Sequence, residues 1–136
     1  MSLDDAIRVL RQNNEDVPKP MRLPAQAEVV AMADSLGVTF HPDYERYLLE
    51  ASDVVFGTIE PATIVASEDH TYLPSVVEGA RAMGVPDELL PVCEDNGDYY
   101  CMERNGRVVY WSHNGLTDES WVDLAAWIRE VWLASG

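Results

Sequence analysis

LLPVCEDNGDYYCMERNGRVVYWSHNG, from Leu89 to Gly115, carries three Asn-Gly pairs, at Asn96-Gly97, Asn105-Gly106 and Asn114-Gly115. Asn-Gly between apolar runs is the strongest short-range hairpin signal, because both residues accept the positive φ of a type I′ turn. The runs between these pairs are rich in Tyr, Val and Trp, which suit a pleated, half-buried surface. The stretch predicts an antiparallel meander over about Leu90–Glu94, Tyr99–Glu103 and Arg107–Ser112. Residues before it would supply helices and further strands, and residues after it one closing helix.

Moving toward the N-terminus, Ser75–Met83 reads as a weak helix, since Gly79 in its middle costs up to about 1 kcal/mol relative to Ala. Gly84 and Pro86 end it. Thr63–Val65 and Val54–Ile59 read as short strands, the latter interrupted by Gly57. A helix starting at Pro42 places Tyr44, Tyr47, Leu48 and Ala51 on one face. Another is predicted over Pro24–Leu36, with Gly37 just past its end and Val29, Val30, Met32, Ala33 and Leu36 buried. Ser2 caps a first helix whose Leu3, Ala6, Ile7 and Leu10 form one apolar stripe. Beyond the meander, Ser120 is the predicted cap of the closing helix. Its inner stripe holds Trp121, Leu124, Ala125, Ile128, Val131 and Trp132, and Trp127 falls off it. The sum is one α+β domain over residues 1–136: a mostly antiparallel sheet of five to six strands, with helices packed mainly on one face.

The chain has 136 residues, 47% of them hydrophobic, enough for one sizeable core. Nine basic against 24 acidic residues leave a net charge of −15. Such a field repels nucleic acid and anionic membrane, so neither is an expected direct partner, and it attracts a basic protein. The start, MSLDDAIRVL, lacks the cationic-then-apolar pattern of a signal peptide. No apolar run approaches the roughly 20 residues of a bilayer span. Two cysteines make no disulfide framework. A two-residue turn at Asn96-Gly97 would set Cys93 opposite Tyr100 and Cys101 opposite Val92, on opposite faces and unable to bridge. Both are expected reduced, in a cytoplasmic protein.

GDYYC at 97–101, followed by a hairpin and VVYWSHNG at 108–115, resembles the central motif of the SUKH superfamily. That superfamily includes many bacterial immunity proteins and some fungal cell-wall regulators. FHPDYERYLLEAS, at Phe40–Ser52, resembles its Pro-started upstream helix. Many members follow that helix with Asn-Gly, where this chain has Ser52-Asp53. The resemblance spans Pro42 to Leu133 and implies neutralisation of a cognate toxin domain by binding it, basic nucleases being prominent among such partners.

Three kinds of chemistry can be weighed on the residues themselves. Cys101, His113 and an aspartate are the raw material of a Cys-His-Asp hydrolase, but no G-x-S-x-G elbow or papain-like cysteine signature accompanies them. A core cysteine beside a surface histidine is the simpler reading, so no catalytic residue is assigned. Glu94, Asp95, Asn96 and Asp98 crowd oxygens into five positions without an EF-hand pattern; a hairpin turn with acidic flanks explains them, and no metal or cofactor is expected. The third kind is recognition. Glu94, Asp95, Asp98, Tyr99, Trp111 and His113 are the candidate binding residues, aromatics giving contact area and acids steering a basic partner. Two other functions stay open, a regulatory protein-interaction module and a small Cys/His hydrolase.

Overall fold

The computed structural model describes residues 2–136. The meander is present: β1 (Leu90–Asp95), β2 (Asp98–Met102), β3 (Val108–Ser112) and β4 (Gly115–Trp121) follow one another across an antiparallel sheet. The three Asn-Gly pairs build it in different ways. Asn96 (φ 53°) and Gly97 (φ 89°) both take positive φ, as a type I′ turn requires. At Asn105-Gly106 only the glycine does (φ 92°), in a longer loop closed by Glu103 N–H to Arg107 O (2.8 Å) and Gly106 N–H to Glu103 O (2.9 Å). At the third site His113 and Asn114 form the tip, and Gly115 already belongs to β4.

Among the described residues five α-helical segments pack about the sheet: α1 (Leu3–Gln12), α2 (Gln26–Leu36), α3 (Pro42–Glu50), α4 (Leu73–Ala82) and α5 (Leu124–Trp127). The last continues as a π-helical turn, Ile128–Trp132, and a 3₁₀ turn, Leu133–Ser135. Ser2 caps α1 with the reciprocal Asp5 bond, and Ala6, Ile7 and Leu10 are buried as the stripe predicts. Gly37 (φ 67°) closes α2, but of that helix's predicted set only Val29 is buried and Val30 is exposed. α3 buries Tyr44, Tyr47 and Leu48. At its end Ser52 and Asp53 do the work of a turn differently from Asn-Gly: the Ser52 hydroxyl donates to Leu48 O (2.7 Å), and Asp53 pairs with Arg11 of α1.

The sheet has four strands, not five to six. Val54–Ile59 is a turn-rich loop. Its Phe56 carbonyl accepts from the Trp132 indole (3.2 Å), so it is used for side-chain anchoring instead of strand pairing. Thr63–Val65 contributes one isolated bridge, Thr63 to Tyr72, and Pro61 bridges Cys93. Proline lacks the N–H that would carry the ladder on. The closing helix also starts later than the sequence predicts. The third turn sends the chain back along β3, and β4 absorbs everything through Trp121. The cap is therefore Asp123, whose carboxylate accepts from Ala126 N–H (2.8 Å), not Ser120.

That shift reverses the tryptophans. Trp127 is buried at 1% exposure and Trp121 is only half-buried, on β4. Tyr100 collects the aromatics of its face: ring centroids lie 4.7 Å from Tyr110, 5.3 Å from Trp127 and 5.7 Å from Trp121. Trp132 continues the cluster to Tyr47 of α3 at 6.1 Å. On the opposite face α4 crosses beneath Tyr99. A Cβ on Gly79 would stand 2.8 Å from the Tyr99 hydroxyl, which accounts for glycine inside a helix. Arg81 pins the end of α4 to the approach of β1, donating to Pro86 O (2.8 Å) and Leu89 O (2.9 Å). Cys93 does oppose Tyr100. Cys101 opposes Pro91 and not Val92, because a bulge inserts Val92 between them. The thiols stay on opposite faces, buried and unbridged.

Candidate functional site

Two turns lie side by side at one end of the sheet, Asn96-Gly97 joining β1 to β2 and His113-Asn114 joining β3 to β4. Asp98 ties them together. Its carboxylate accepts the His113 backbone N–H (3.0 Å) and the Tyr110 hydroxyl (3.1 Å), and it lies 3.6 Å from the His113 ring. Burial pushes the Tyr110 phenol up to about 12, with the Asp98 bond and the charges of Asp98, Asp95 and Glu119 adding to the rise. Glu94 is exposed, and its carboxylate accepts Gly97 N–H at 2.7 Å, bracing the first turn from outside. Asp95 is half-buried. Burial first, then the neighbouring Glu94 and Asp98 carboxylates, holds its carboxyl above the ordinary aspartate value.

Strand register divides the candidate residues between faces. Glu94, Tyr99, Trp111 and Leu116 are successive partners across the four strands, so their side chains form one row. Asp95 and Asp98 pair on the other face. Of the row, Tyr99 is buried under α4, which leaves it no free contact surface. Trp111 is half-buried. Leu116, 57% exposed, completes the row and is absent from the sequence-predicted set. It was recoverable only by extending the strand past Asn114-Gly115. His113 stands out at the second tip, its side chain 72% exposed. The six predicted residues thus gather at one end of the sheet and present an acidic crest with Trp111 and Leu116 down one flank.

The arrangement offers little to covalent chemistry. Cys101 is fully buried and its thiol is pushed up to about 12 by burial, Arg81 opposing only in part. A reactive thiolate needs the opposite, a lowered value and access. Cys101 pairs with Val109, and His113 lies four residues further along the chain, just past the end of β3, about 13 Å at strand rise. Burial raises the Cys93 thiol still more. Among the described residues, no three His, Cys, Asp or Glu side chains are grouped to hold a metal ion. Among the same residues, no helix is long and apolar enough to cross a membrane.

The SUKH_5 family model, described as SMI1-KNR4 cell-wall, matches residues 3–133. The chain belongs to this SUKH family. A solved structure described as a protein from Pseudomonas syringae pv. tomato superposes with a TM-score of 0.94 at 42% identity, covering 97% of this chain and 99% of that one. No curated protein matches. The family is generally one of immunity and regulatory proteins without enzymatic activity.

Proposed function

We propose that this SUKH protein neutralises a cognate toxin domain by stoichiometric binding, with a basic nuclease as the kind of domain its charge fits. The observation that carries the reading is the sheet end itself. A chain of net charge −15 places Glu94, Asp95 and Asp98 around the Asn96-Gly97 turn, and the Asp98 bonds to His113 and Tyr110 hold that turn and its neighbour in one geometry. A surface already ordered loses little entropy when it docks. Trp111 and Leu116 beside the crest supply apolar contact, and the carboxylates steer a cationic partner and exclude anionic ones. Inhibition then follows from occlusion of a basic active site, with no bond made or broken. The buried, high-pKa thiols favour this over a Cys/His hydrolase.

Titrating the protein into an assay of the neighbouring gene's product tests the proposal. A one-to-one endpoint supports occlusion. Protection at far less than one equivalent would sink it and return catalysis to consideration. The family description, SMI1-KNR4 cell-wall, favours a second reading, a regulatory module that binds endogenous cell-wall or signalling proteins. A neighbouring gene without any toxin domain, and co-purification of such an endogenous partner, would decide for that reading.

A further inference from the structure

The two edges of the sheet differ. At β1 the outer edge is covered, Pro61 bridging Cys93 and Ala62 N–H donating to Val92 O (2.8 Å). At the other edge β4 pairs with β3 alone, and among the described residues its outward backbone groups meet no other backbone. Open edges are templates for a further strand, and proteins usually blunt them along their length. Here the blunting is partial. Leu116 (57%) and Val122 (78%), the two most exposed large hydrophobic residues among those described, lie at the two ends of the strand, and Asp118 and Glu119 lie exposed between them. No Lys or Arg occurs from Gly115 to Val122. A bulge sits at the same place. The Thr117 hydroxyl donates to Tyr110 O (3.0 Å) and accepts Glu119 N–H (3.2 Å), which takes that N–H out of the edge.

We infer that the outer edge of β4 receives an extended basic segment of the partner as a fifth strand. The inference rests on the protein-binding reading and names its contact mode. In strand addition the main-chain bonds hold the segment, and side-chain complementarity selects it. The bulge confines those bonds to the two ends of β4, where Leu116 and Val122 give apolar cover. Between them Asp118 and Glu119 face the incoming Lys or Arg side chains, an opposite-charge pairing across strands. A second copy of this chain fits worse. Antiparallel self-pairing about Glu119 sets Leu116 against Val122, but it also sets Glu119 against Glu119, and like charges directly opposite are destabilising.

The full chain titrated by NMR with a capped peptide of alternating Lys and Val tests this, beside the same peptide N-methylated on alternate residues to remove its backbone donors. The expected result is amide shifts and slowed exchange at Leu116, Trp121 and Val122, with binding at least about tenfold weaker for the N-methylated peptide. Asp118→Lys together with Glu119→Lys should weaken the unmodified peptide by a similar factor and leave Tm nearly unchanged, since both side chains are exposed. Equal binding of the two peptides would overturn the inference, as would shifts confined to Asn96–Asp98. Dimerisation through β4, seen by sedimentation with the same amides protected, would overturn the choice of occupant. The inhibition titration is independent of this assay. Its failure removes the toxin reading while peptide binding still reports on the edge, and a one-to-one endpoint without β4 shifts removes the edge and leaves the toxin reading standing.

Discussion

Asp98 shows how one carboxylate can be both part of a surface and a structural tie. Removing it deletes two hydrogen bonds and leaves the half-buried Tyr110 hydroxyl without its acceptor. Asp98→Ala should therefore cost about 1–3 kcal/mol in a denaturant titration. Glu94→Gln keeps an acceptor for Gly97 N–H at an exposed site and should stay within about 0.5 kcal/mol. Asp95 behaves in the opposite sense. Its folded pKa is raised, by burial first and by Glu94 and Asp98 second, so its protonated form is the one the fold prefers. That contribution is fully present below the ordinary aspartate value and is lost as pH rises through the folded one. Asp95→Asn should thus melt above the parent at pH 7, with the gap closing toward pH 3; a gap that widens in acid would contradict the assignment. The clustering of these acids is legible in the sequence. Their separate roles are not, because the partners that distinguish Asp98 come from Tyr110 and His113, a strand away.

The C-terminal element illustrates a different limit. A period of 3.6 sets residues five apart roughly 140° from each other, so Trp127 and Trp132 cannot share an α-helical face. The structure widens the helix to a π turn at Ile128–Trp132, and both indoles turn inward with centroids 6.3 Å apart. No local propensity announces such a turn; it follows from the fit against Tyr100 and Tyr47. Trp127→Ala should cost about 3–5 kcal/mol, and Trp121→Ala clearly less, since Trp121 is half-buried on β4. Equal losses would return Trp121 to the core. The turns were the most legible elements, because Asn-Gly has a backbone reason to be where it is. Gly106 has two: φ of 92°, and a site where a Cβ would stand 2.7 Å from the His41 ring. Gly106→Ala should destabilise by about 1–3 kcal/mol, against little for an Ala on the outer face of α2. The strand reading at Val54–Ile59 failed for want of a partner, and at Thr63–Val65 pairing stops at the single Thr63–Tyr72 bridge; sequence alone does not show which edge is free.

At the scale of the whole molecule the governing quantity is the imbalance of 9 basic and 24 acidic residues. Most of the basic side chains are engaged in ion pairs, Arg8 with Asp5, Arg11 with Asp53, Arg22 with Glu28, Arg46 with Asp4 and Glu50, Arg81 with Asp87, Arg107 with Glu103 and Arg129 with Glu130. The field that a partner meets is therefore negative, and Glu94, Asp95 and Asp98 share one end of the sheet within it. Charges exposed to solvent act over about 8 Å at physiological ionic strength, so they raise the rate of encounter more than they hold the complex together. Association with the proposed toxin partner should accordingly slow steeply as salt rises, with dissociation changing much less. Glu94→Gln combined with Asp95→Asn should reduce the association rate and flatten its salt dependence. Tm should not fall, because the first change keeps its hydrogen bond and the second relieves a strained charge. Stopped-flow binding across a salt series measures both quantities. A double variant whose rate and salt slope match the parent would remove the sheet end from the encounter surface and leave the β4 edge to account for recognition by itself.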